Sequence, residues 1–311
     1  MTRRDCLTAM AAAASPLKAA KETPMRLPLC AFSKHFQWTT IAEAAAHCAS
    51  FGYDGLDITV REGGHVEPVR VEDDLPKAVE AVKKAGIAVP MVTSGIVDAR
   101  SSHAEKVLKT LSSLGIRHYR WGGFKYTGKA SIPDQLAGFK PRVKDLAALN
   151  KQYGVTAMYH THSGVGQVGA SFWDMYLLLK DFDTGAVSLN YDIGHATVEG
   201  GLGGWIHSSR LMLPYTRGVA LKDFRWEKNA KGQWAPRWCA LGEGMVHFRQ
   251  FLPMLKTANF RGPLQLHMEY EELGGADSGK KQFTVPKEQL LGLFRRDVLL
   301  MKNMLREAGL A

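Results

Sequence analysis

Short apolar runs alternate with longer amphipathic stretches along this chain from about Arg26 onward. The short runs favour buried strands, and the longer stretches repeat apolar residues with the period of a helix. The predicted strands are residues 27–32, 54–60, 87–93 and 116–121 and the runs that lead into His160, Asp192, Lys222 and Glu269. The predicted helices are residues 40–51, 73–85, 102–114, 133–153, 172–181, 204–213, 246–257 and 287–308, and residues 225–243 are predicted to be a long, Trp-rich loop.

Eight strand and helix units in strict alternation predict a parallel sheet with right-handed crossovers. Over residues 26–308 this number of units fits a single α/β domain, a (β/α)8 TIM barrel with its active site at the C-terminal ends of the strands. Four predicted helices are each followed by a glycine: Gly52, Gly86, Gly115 and Gly154. Glycine commonly follows a helix end, so these residues should mark the opposite end of the barrel.

The composition is that of a globular protein, with 311 residues, 45% hydrophobic residues and a formal net charge of +10. The positive charge favours anionic partners, but no run of five or six basic residues occurs. A solvated basic surface is therefore the favoured interpretation, and no nucleic-acid partner is expected. The four cysteines show no C-x-x-C spacing, which excludes a cysteine zinc site as a prediction.

The first residues resemble an export signal. Thr2, Arg3 and Arg4 precede a short apolar stretch over residues 9–14, as in a twin-arginine signal, although Cys6 and Thr8 depart from that pattern. We expect residues 1–20 to be such a signal and the protein to be periplasmic, with a cytoplasmic protein and a ragged start as the alternative. The apolar stretch is too short to span a bilayer, so no stable membrane anchor is expected.

Several predicted strands end in ionisable side chains. Because parallel strands of a barrel end at one rim, these side chains should share one polar site. Residues two apart on a strand point the same way, so each pair can face the barrel mouth together. The side chains in question are His160 and His162, Asp192 with the nearby His195, Lys222, and His267 with Glu269.

Other polar residues approach the same rim from the second and fourth strands, namely Asp57, Arg61, His65 and Arg120. His160, Asp192 and Glu269 form a mixed nitrogen and oxygen set that suits Mn, Mg, Co or Zn. Simpler interpretations stay open: a histidine at a strand end can be a hydrogen-bonded core group, and Lys222 can pair locally with Asp223. The Trp-rich loop can serve packing or can stack on a sugar.

Five motifs, taken in order, resemble the xylose isomerase-like barrel family of sugar isomerases and epimerases. They are GYDGLD from Gly52, YDIGH from Tyr191, LKD from Leu221, LGEGMV from Leu241 and HME from His267. The resemblance implies a divalent metal held by Glu, Asp, His and Glu. Asp192 and Glu269 match two of these ligands, His160 stands near the position of the first Glu, and Ala220 replaces the expected His. His162, His195 or His267 would then complete the set, or the protein would lack the metal.

We therefore expect an enzyme that removes a proton next to the carbonyl of a sugar or sugar derivative, giving an enediolate. Glu269, Lys222 and His162 are the predicted catalytic residues, and the predicted substrate contacts are Asp57, Arg61, His65, Arg120, His195 and His267. One alternative is a lyase that acts on a 3-keto-glycoside or dehydrates an inosose; others are a non-catalytic sugar-binding barrel and an endonuclease for damaged DNA. The oligomeric state is left open, a homo-oligomer included.

Overall fold

Eight parallel strands close into a barrel in the computed structural model, which describes residues 25–128 and 130–311. Around the barrel the order is β1, β10, β7, β6, β5, β4, β3, β2, which confirms the predicted TIM barrel. The barrel strands are β1 (Leu29–Phe32), β2 (Gly55–Val60), β3 (Val92–Ser94), β4 (His118–Trp121), β5 (Thr156–His160), β6 (Val187–Asp192), β7 (Thr216–Leu221) and β10 (Leu264–Leu266). The predicted signal segment, residues 1–20, lies outside the described residues and stays a prediction.

Helices cover the outside of the barrel. They are α1 (Ile41–Phe51), α2 (Val71–Lys84), α3 (Ala104–Ser113), α4 (Ile132–Tyr153), α5 (Trp173–Leu179), α6 (Ile193–Gly200), α7 (Gly204–Met212), α8 (Phe248–Thr257) and α9 (Lys287–Glu307). Short 3-10 helices occupy Ser33–Phe36, Pro68–Arg70, Leu213–Tyr215 and Glu271–Leu273. Over the described ranges, no helix combines the length and the apolar character that crossing a bilayer requires.

The N-terminal end of the barrel is built as the glycine pattern predicts. Helix α1 starts on the opposite, C-terminal side, where the Thr40 side chain accepts from the backbone N–H of Glu43 and the Glu43 carboxylate accepts from the backbone N–H of Thr40. Gly52 ends this helix in the left-handed conformation, with φ of 89°. Gly86, Gly115 and Gly154 also have positive φ. These turns return the chain to the next strand and leave the other rim for polar side chains.

The prediction of a long loop over residues 225–243 is wrong. Its sequence forms an antiparallel hairpin, β8 (Asp223–Lys228) and β9 (Trp234–Cys239), with Trp226 opposite Pro236. Alternation of aromatic and charged residues through β8 has the period of a strand. The turn is closed at Gly232, whose φ is 75° and whose N–H donates to the carbonyl of Asn229 over 2.8 Å. The alternation in β8 and the glycine in the turn are both present in the sequence.

Two further elements, β3 and α6, differ from the prediction. The third strand was predicted over residues 87–93, but β3 covers only Val92–Ser94. Pro90 precedes it and has no N–H to donate to a sheet ladder, which accounts for the late start. The helix α6, directly after Asp192, was not predicted. The Asp192 side chain caps it by accepting from the backbone N–H of His195, so the end of β6 and the start of α6 share one residue.

Candidate active site

The C-terminal rim of the barrel brings seven of the predicted site residues into one cluster. They are His160, His162, Asp192, His195, Lys222, His267 and Glu269. The end of β6 supplies Asp192, and Lys222 follows β7 directly. His267 and Glu269 follow β10, and His162 lies two residues beyond the end of β5. The contacts below show how these side chains meet.

Lys222 is the centre of the cluster. Its side chain is only 3% exposed, and its Nζ atom lies 2.9 Å from Glu269 Oε2 and 3.4 Å from Asp192 Oδ2. The same Nζ lies 2.7 Å from Nε2 of His195 and 4.1 Å from the ring centroid of Trp238. A buried ammonium is costly unless it is paired. Two carboxylates and an aromatic face supply that pairing and fix the position of the charge.

Glu269 lies between two lysines. Its Oε1 accepts from Lys34 Nζ over 2.9 Å, and its Oε2 accepts from Lys222 Nζ over 2.9 Å. Burial opposes the charge on Glu269, but Lys222 and Lys34 outweigh it and hold the pKa of this carboxyl well below its usual range. The Glu269 side chain is 21% exposed, so it remains accessible from the mouth. It is thus an ionised carboxylate that a ligand can reach.

Asp192 is fully buried, and its two carboxylate oxygens differ. Oδ1 accepts from the backbone N–H of His195 over 3.0 Å, whereas Oδ2 has no hydrogen-bond partner among the described residues. Burial raises the pKa of Asp192, and the nearby Lys222 ammonium works against that rise. Oδ1 thus stabilises the fold, whereas Oδ2 faces Lys222 and His160 and remains available as an acceptor.

Four histidine rings surround Asp192 and Lys222. The ring centroids of His160 and His162 are 4.7 Å apart, those of His162 and His195 are 5.1 Å apart, and those of His160 and His267 are 5.3 Å apart. Burial lowers the pKa of each ring, to about 3 for His162 and well below the usual range for the other three. At neutral pH all four are neutral imidazoles, which can donate, accept or bind a metal.

Three residues of the cluster, two histidines and Asp192, fit a divalent metal. One potential ligand atom from each of His160, Asp192 and His267 lies within 4.8 Å of the other two. Asp192 Oδ2 and both ring nitrogens of His267 are buried without a hydrogen-bond partner in the described part of the chain. Two imidazoles and a carboxylate are a common donor set for such ions. His160, His162 and His195 form a second group of this kind.

The predicted ligand Glu269 differs from these residues, because both of its oxygens are held by lysines. A metal at Glu269 would have to displace the ammonium of Lys222 or Lys34. Its role as a ligand therefore stays a prediction, and His267, two residues earlier, offers two ring nitrogens that have no hydrogen-bond partner among the described residues.

The remaining predicted residues lie on the opposite side of the mouth. Arg120 places Nη2 3.3 Å from Nε2 of His162. Asp57 is fully buried, and its Oδ2 accepts from the Thr93 hydroxyl over 2.7 Å. His65 has both ring nitrogens engaged, with the Thr59 hydroxyl at 3.3 Å and the Phe36 carbonyl at 3.1 Å. The structure thus gives His65 local partners, and its contact with substrate stays a prediction.

Sequence reasoning missed three residues of the site: Lys34, His35 and Trp238. Lys34 and His35 follow β1 directly, so the rule that found Lys222 would also have found them. His35 is fully buried, and its Nε2 accepts from the backbone N–H of Met268 over 3.1 Å. Trp238 reaches the site because β9 pairs with β8, and its contact with Lys222 joins residues that no local pattern relates.

Known proteins share this fold. A sequence profile described as xylose isomerase-like TIM barrel matches residues 45–289. A xylose isomerase-like protein from Mycobacterium smegmatis, in complex with magnesium, is 16% identical with a TM-score of 0.65, covering 91% of this chain and 97% of that one.

Two epimerases are similar to the same extent. D-allulose 3-epimerase from Methylomonas sp., in complex with D-allulose, is 16% identical with a TM-score of 0.64, covering 90% of this chain and 98% of that one. The 3-keto-D-glucoside 4-epimerase from E. coli is 14% identical with a TM-score of 0.63, covering 89% and 100%. Among curated proteins, none matches the chain. At these identities the solved structures show a shared fold.

Proposed function

The chain belongs to the xylose isomerase-like TIM barrel family, and we propose that it is a sugar isomerase or epimerase that removes a proton next to a carbonyl. One observation carries the proposal: the ammonium of Lys222 lies in contact with two carboxylates, Glu269 and Asp192, at the mouth of the barrel. Two relatives of the same fold, the D-allulose and 3-keto-D-glucoside epimerases, support a substrate of the keto-sugar class.

Lys222 stabilises the negative charge that develops during the reaction. When the C–H bond next to a carbonyl breaks, its electron pair forms a C=C bond and the carbonyl oxygen becomes an oxyanion. A fixed ammonium in a site shielded from water favours that oxyanion strongly. Asp192 and the Trp238 ring hold the Lys222 ammonium at this position before the substrate arrives.

Glu269 takes the proton. It is the partly exposed member of the carboxylate pair, and its low pKa keeps it ionised at neutral pH. Its basicity rises when the Lys222 ammonium also donates to the oxyanion, because the carboxylate then shares one of its two cations. The proton leaves the substrate carbon at the moment when the base becomes stronger.

His162 acts on the neighbouring oxygen. Arg120 faces its Nε2 at 3.3 Å, so the ring proton of the neutral imidazole lies on Nδ1 and can be donated. A neutral imidazole can polarise a hydroxyl or carbonyl without carrying charge. Isomerisation results when the proton returns to the adjacent carbon and the hydroxyl proton of the first carbon passes to the former carbonyl oxygen. Return of the proton to the opposite face of the first carbon gives epimerisation.

A divalent metal is the proposed cofactor, and His160, Asp192 and His267 would hold it. When bound there, such an ion would act as a Lewis acid toward a sugar oxygen. Cobalt added to the purified protein should give visible absorption bands that His267→Ala abolishes and that Lys228→Ala, on the exposed hairpin, leaves unchanged. Bands of equal strength in wild type and the His267 variant would overturn this ligand assignment, whatever the activity.

A lyase is the second candidate. A cavity of about 530 Å3 lies beside Glu269 and Trp238 and runs along the hairpin past Pro236 and Arg237. It has room for a leaving group expelled from the carbon next to the enediolate. Elimination and isomerisation share the first proton transfer, so the two candidates differ only in the fate of the intermediate.

Solvent exchange tests the shared step. We expect the protein, incubated in D2O with D-allulose, D-fructose or a 3-keto-glucoside, to place deuterium on the carbon next to the carbonyl of at least one of them, as seen by NMR. The Glu269→Gln variant keeps the shape of the side chain, and its exchange rate should be at least about a hundredfold lower than that of wild type. Appearance of an unsaturated product would select the lyase.

Binding of these sugars without any exchange, with or without added Mg2+, Mn2+ or Co2+, would overturn the proposed activity. The non-catalytic sugar-binding barrel would then be the better description. Thermal unfolding of Glu269→Gln serves as the control, because a melting temperature close to that of wild type excludes misfolding as the cause of a lost rate.

A further inference from the structure

Two guanidinium groups at the barrel mouth have no carboxylate partner among the residues that the structure describes. Arg61 follows β2 directly, and Arg120 lies on β4. Within residues 25–128 and 130–311, no carboxylate oxygen lies within 4.0 Å of a guanidinium nitrogen of either arginine. The one side-chain hydrogen-bond contact of the Arg120 guanidinium in that part of the chain is with the neutral ring of His162.

The two guanidinium groups converge on one aromatic ring. The Cζ atoms of Arg61 and Arg120 lie 5.8 Å and 6.0 Å from the ring centroid of Phe32. Phe32 is 1% exposed and stacks on His267, with ring centroids 4.7 Å apart. The arginine pair is therefore positioned beside the catalytic cluster by a ring that is part of the same site.

This arrangement costs free energy while no anion is present. Both side chains are half-buried. Burial, and to a smaller extent the nearby Arg61 charge, lowers the pKa of Arg120 to about 10. Burial lowers the pKa of Arg61 as well. Both groups stay protonated at neutral pH, so two like charges share a partly dry space. A polar group kept there without a partner points to one supplied by a ligand.

The other charges at the mouth do not neutralise the pair. Lys34 and Lys222 already occupy Glu269, and Lys222 also contacts Asp192. The Asp57 carboxylate also acts on both arginines, but burial raises its pKa to about 7, so it is only partly ionised at neutral pH. Arg61 also lines a cavity of about 520 Å3 between the loops that follow β2 and β3, which gives a ligand access to it. Glu62 and Glu67 line the same cavity, but neither forms an ion pair with Arg61.

We propose that Arg61 and Arg120 together bind an oxyanion substituent of the sugar, a carboxylate or a phosphoryl group, while Lys222 and Glu269 act on its carbonyl. Planar guanidinium groups bind both kinds of oxyanion through paired N–H donors. The substrate class is then a sugar acid or a sugar phosphate rather than a neutral sugar. The inference rests on the proposed function for its sugar site, but binding requires no turnover.

Calorimetric titration tests the inference with matched pairs of ligands. The probes are D-glucuronate and D-galacturonate, each beside its neutral sugar, and D-glucose 6-phosphate, which separates the phosphoryl from the carboxylate source. We expect at least one anionic sugar to bind about tenfold or more tightly than its neutral partner. In the Arg61→Met and Arg120→Met variants this advantage should be lost, so that the anionic sugar binds no more tightly than its neutral partner.

Two variants separate charge from geometry and from folding. Arg120→Lys keeps the charge and loses the forked donors, so an intermediate affinity is expected. Arg210→Met, on the exposed face of α7, is the matched control and should bind like wild type. The inference is overturned if no anionic sugar binds more tightly than its neutral partner, including the case in which none binds. Anion binding that persists while deuterium exchange is absent would count against the proposed activity alone.

Discussion

Two buried aspartates near the ends of adjacent barrel strands, Asp192 and Asp223, are hydrogen bonded very differently. The Asp223 carboxylate accepts from four backbone N–H groups, those of Phe224, Gly242, Gly244 and Val246, at 2.9 to 3.1 Å. The Asp192 carboxylate accepts from one backbone N–H among the described residues, that of His195. The first holds the hairpin and the following loop in place, whereas the second keeps one oxygen available for chemistry.

The glycines around Asp223 show how closely that loop approaches. A Cβ atom at Gly244 would lie 2.1 Å from Asp223 Oδ1, far inside contact distance, so only glycine fits. The LGEGMV motif therefore binds a carboxylate of the fold rather than a substrate. Lys222 and Asp223 are neighbours in sequence but have different roles. The lysine is part of the site, and the aspartate binds the backbone of the loop that follows the hairpin.

The largest expected effect concerns Asp192. Asp192→Asn keeps an oxygen for the His195 N–H and removes the charge beside Lys222. We expect the rate of deuterium exchange to fall by about a hundredfold, since the ammonium loses a carboxylate that fixes it. The free energy of unfolding should change by less than about 1 kcal/mol, because a buried and incompletely paired charge is lost. A fully active variant would show that this oxygen is not needed.

Asp57 gives a second test, because it resembles Asp192 in having one oxygen, Oδ1, without a partner among the described residues. Its pKa is raised to about 7 by burial, above the usual value of about 3.8 in an unfolded chain. The stability that protonated Asp57 provides is full below pH 3.8, decreases as pH rises and is lost above about 7. The loss amounts to about 4 kcal/mol at most.

The matched variant is Asp57→Asn, which cannot ionise and can still accept from Thr93. Chemical unfolding at pH 4 and pH 8 should show a larger decrease in unfolding free energy for wild type than for the variant. An equal decrease in both proteins would mean that Asp57 is ionised throughout this range.

Asp223→Asn should act on stability instead. Its amide can accept through one oxygen only and turns an NH2 group toward backbone donors, so some of the four N–H groups lose their partner. We expect the free energy of unfolding to fall by about 3 kcal/mol. Exchange activity, measured at a temperature where the variant is folded, should stay within about threefold of wild type. A stable variant with no activity would reverse the roles given to the two aspartates.

The smallest effect is expected at Lys34, one of the two lysines that hold the pKa of Glu269 down. Lys34→Met removes one cation, so the pKa of Glu269 rises and the acid limb of the pH–rate profile moves to higher pH. The rate at neutral pH should fall by less than about tenfold, because Lys222 remains. An acid limb that does not move would show that another group is the base.

The barrel could be predicted because strand and helix periods are local. The rule that ionisable residues after a strand share one rim then placed Asp192, Lys222 and Glu269 together. The contrast between Asp192 and Asp223 could not be predicted, because the four donors of Asp223 come mostly from a loop about twenty residues later in the chain. Trp238 was missed for the same reason, since the hairpin must fold before its ring meets Lys222.

The central claim is that Lys222 stabilises the charge formed when Glu269 takes a proton from a sugar. The most direct measurement compares solvent deuterium exchange in wild type, Lys222→Met and Lys109→Met, where Lys109 is an exposed lysine of α3 on the outside of the barrel. We predict exchange by wild type and by the Lys109 variant, and a loss of at least about a hundredfold in the Lys222 variant. Exchange at the wild-type rate by a folded Lys222→Met protein would contradict the account.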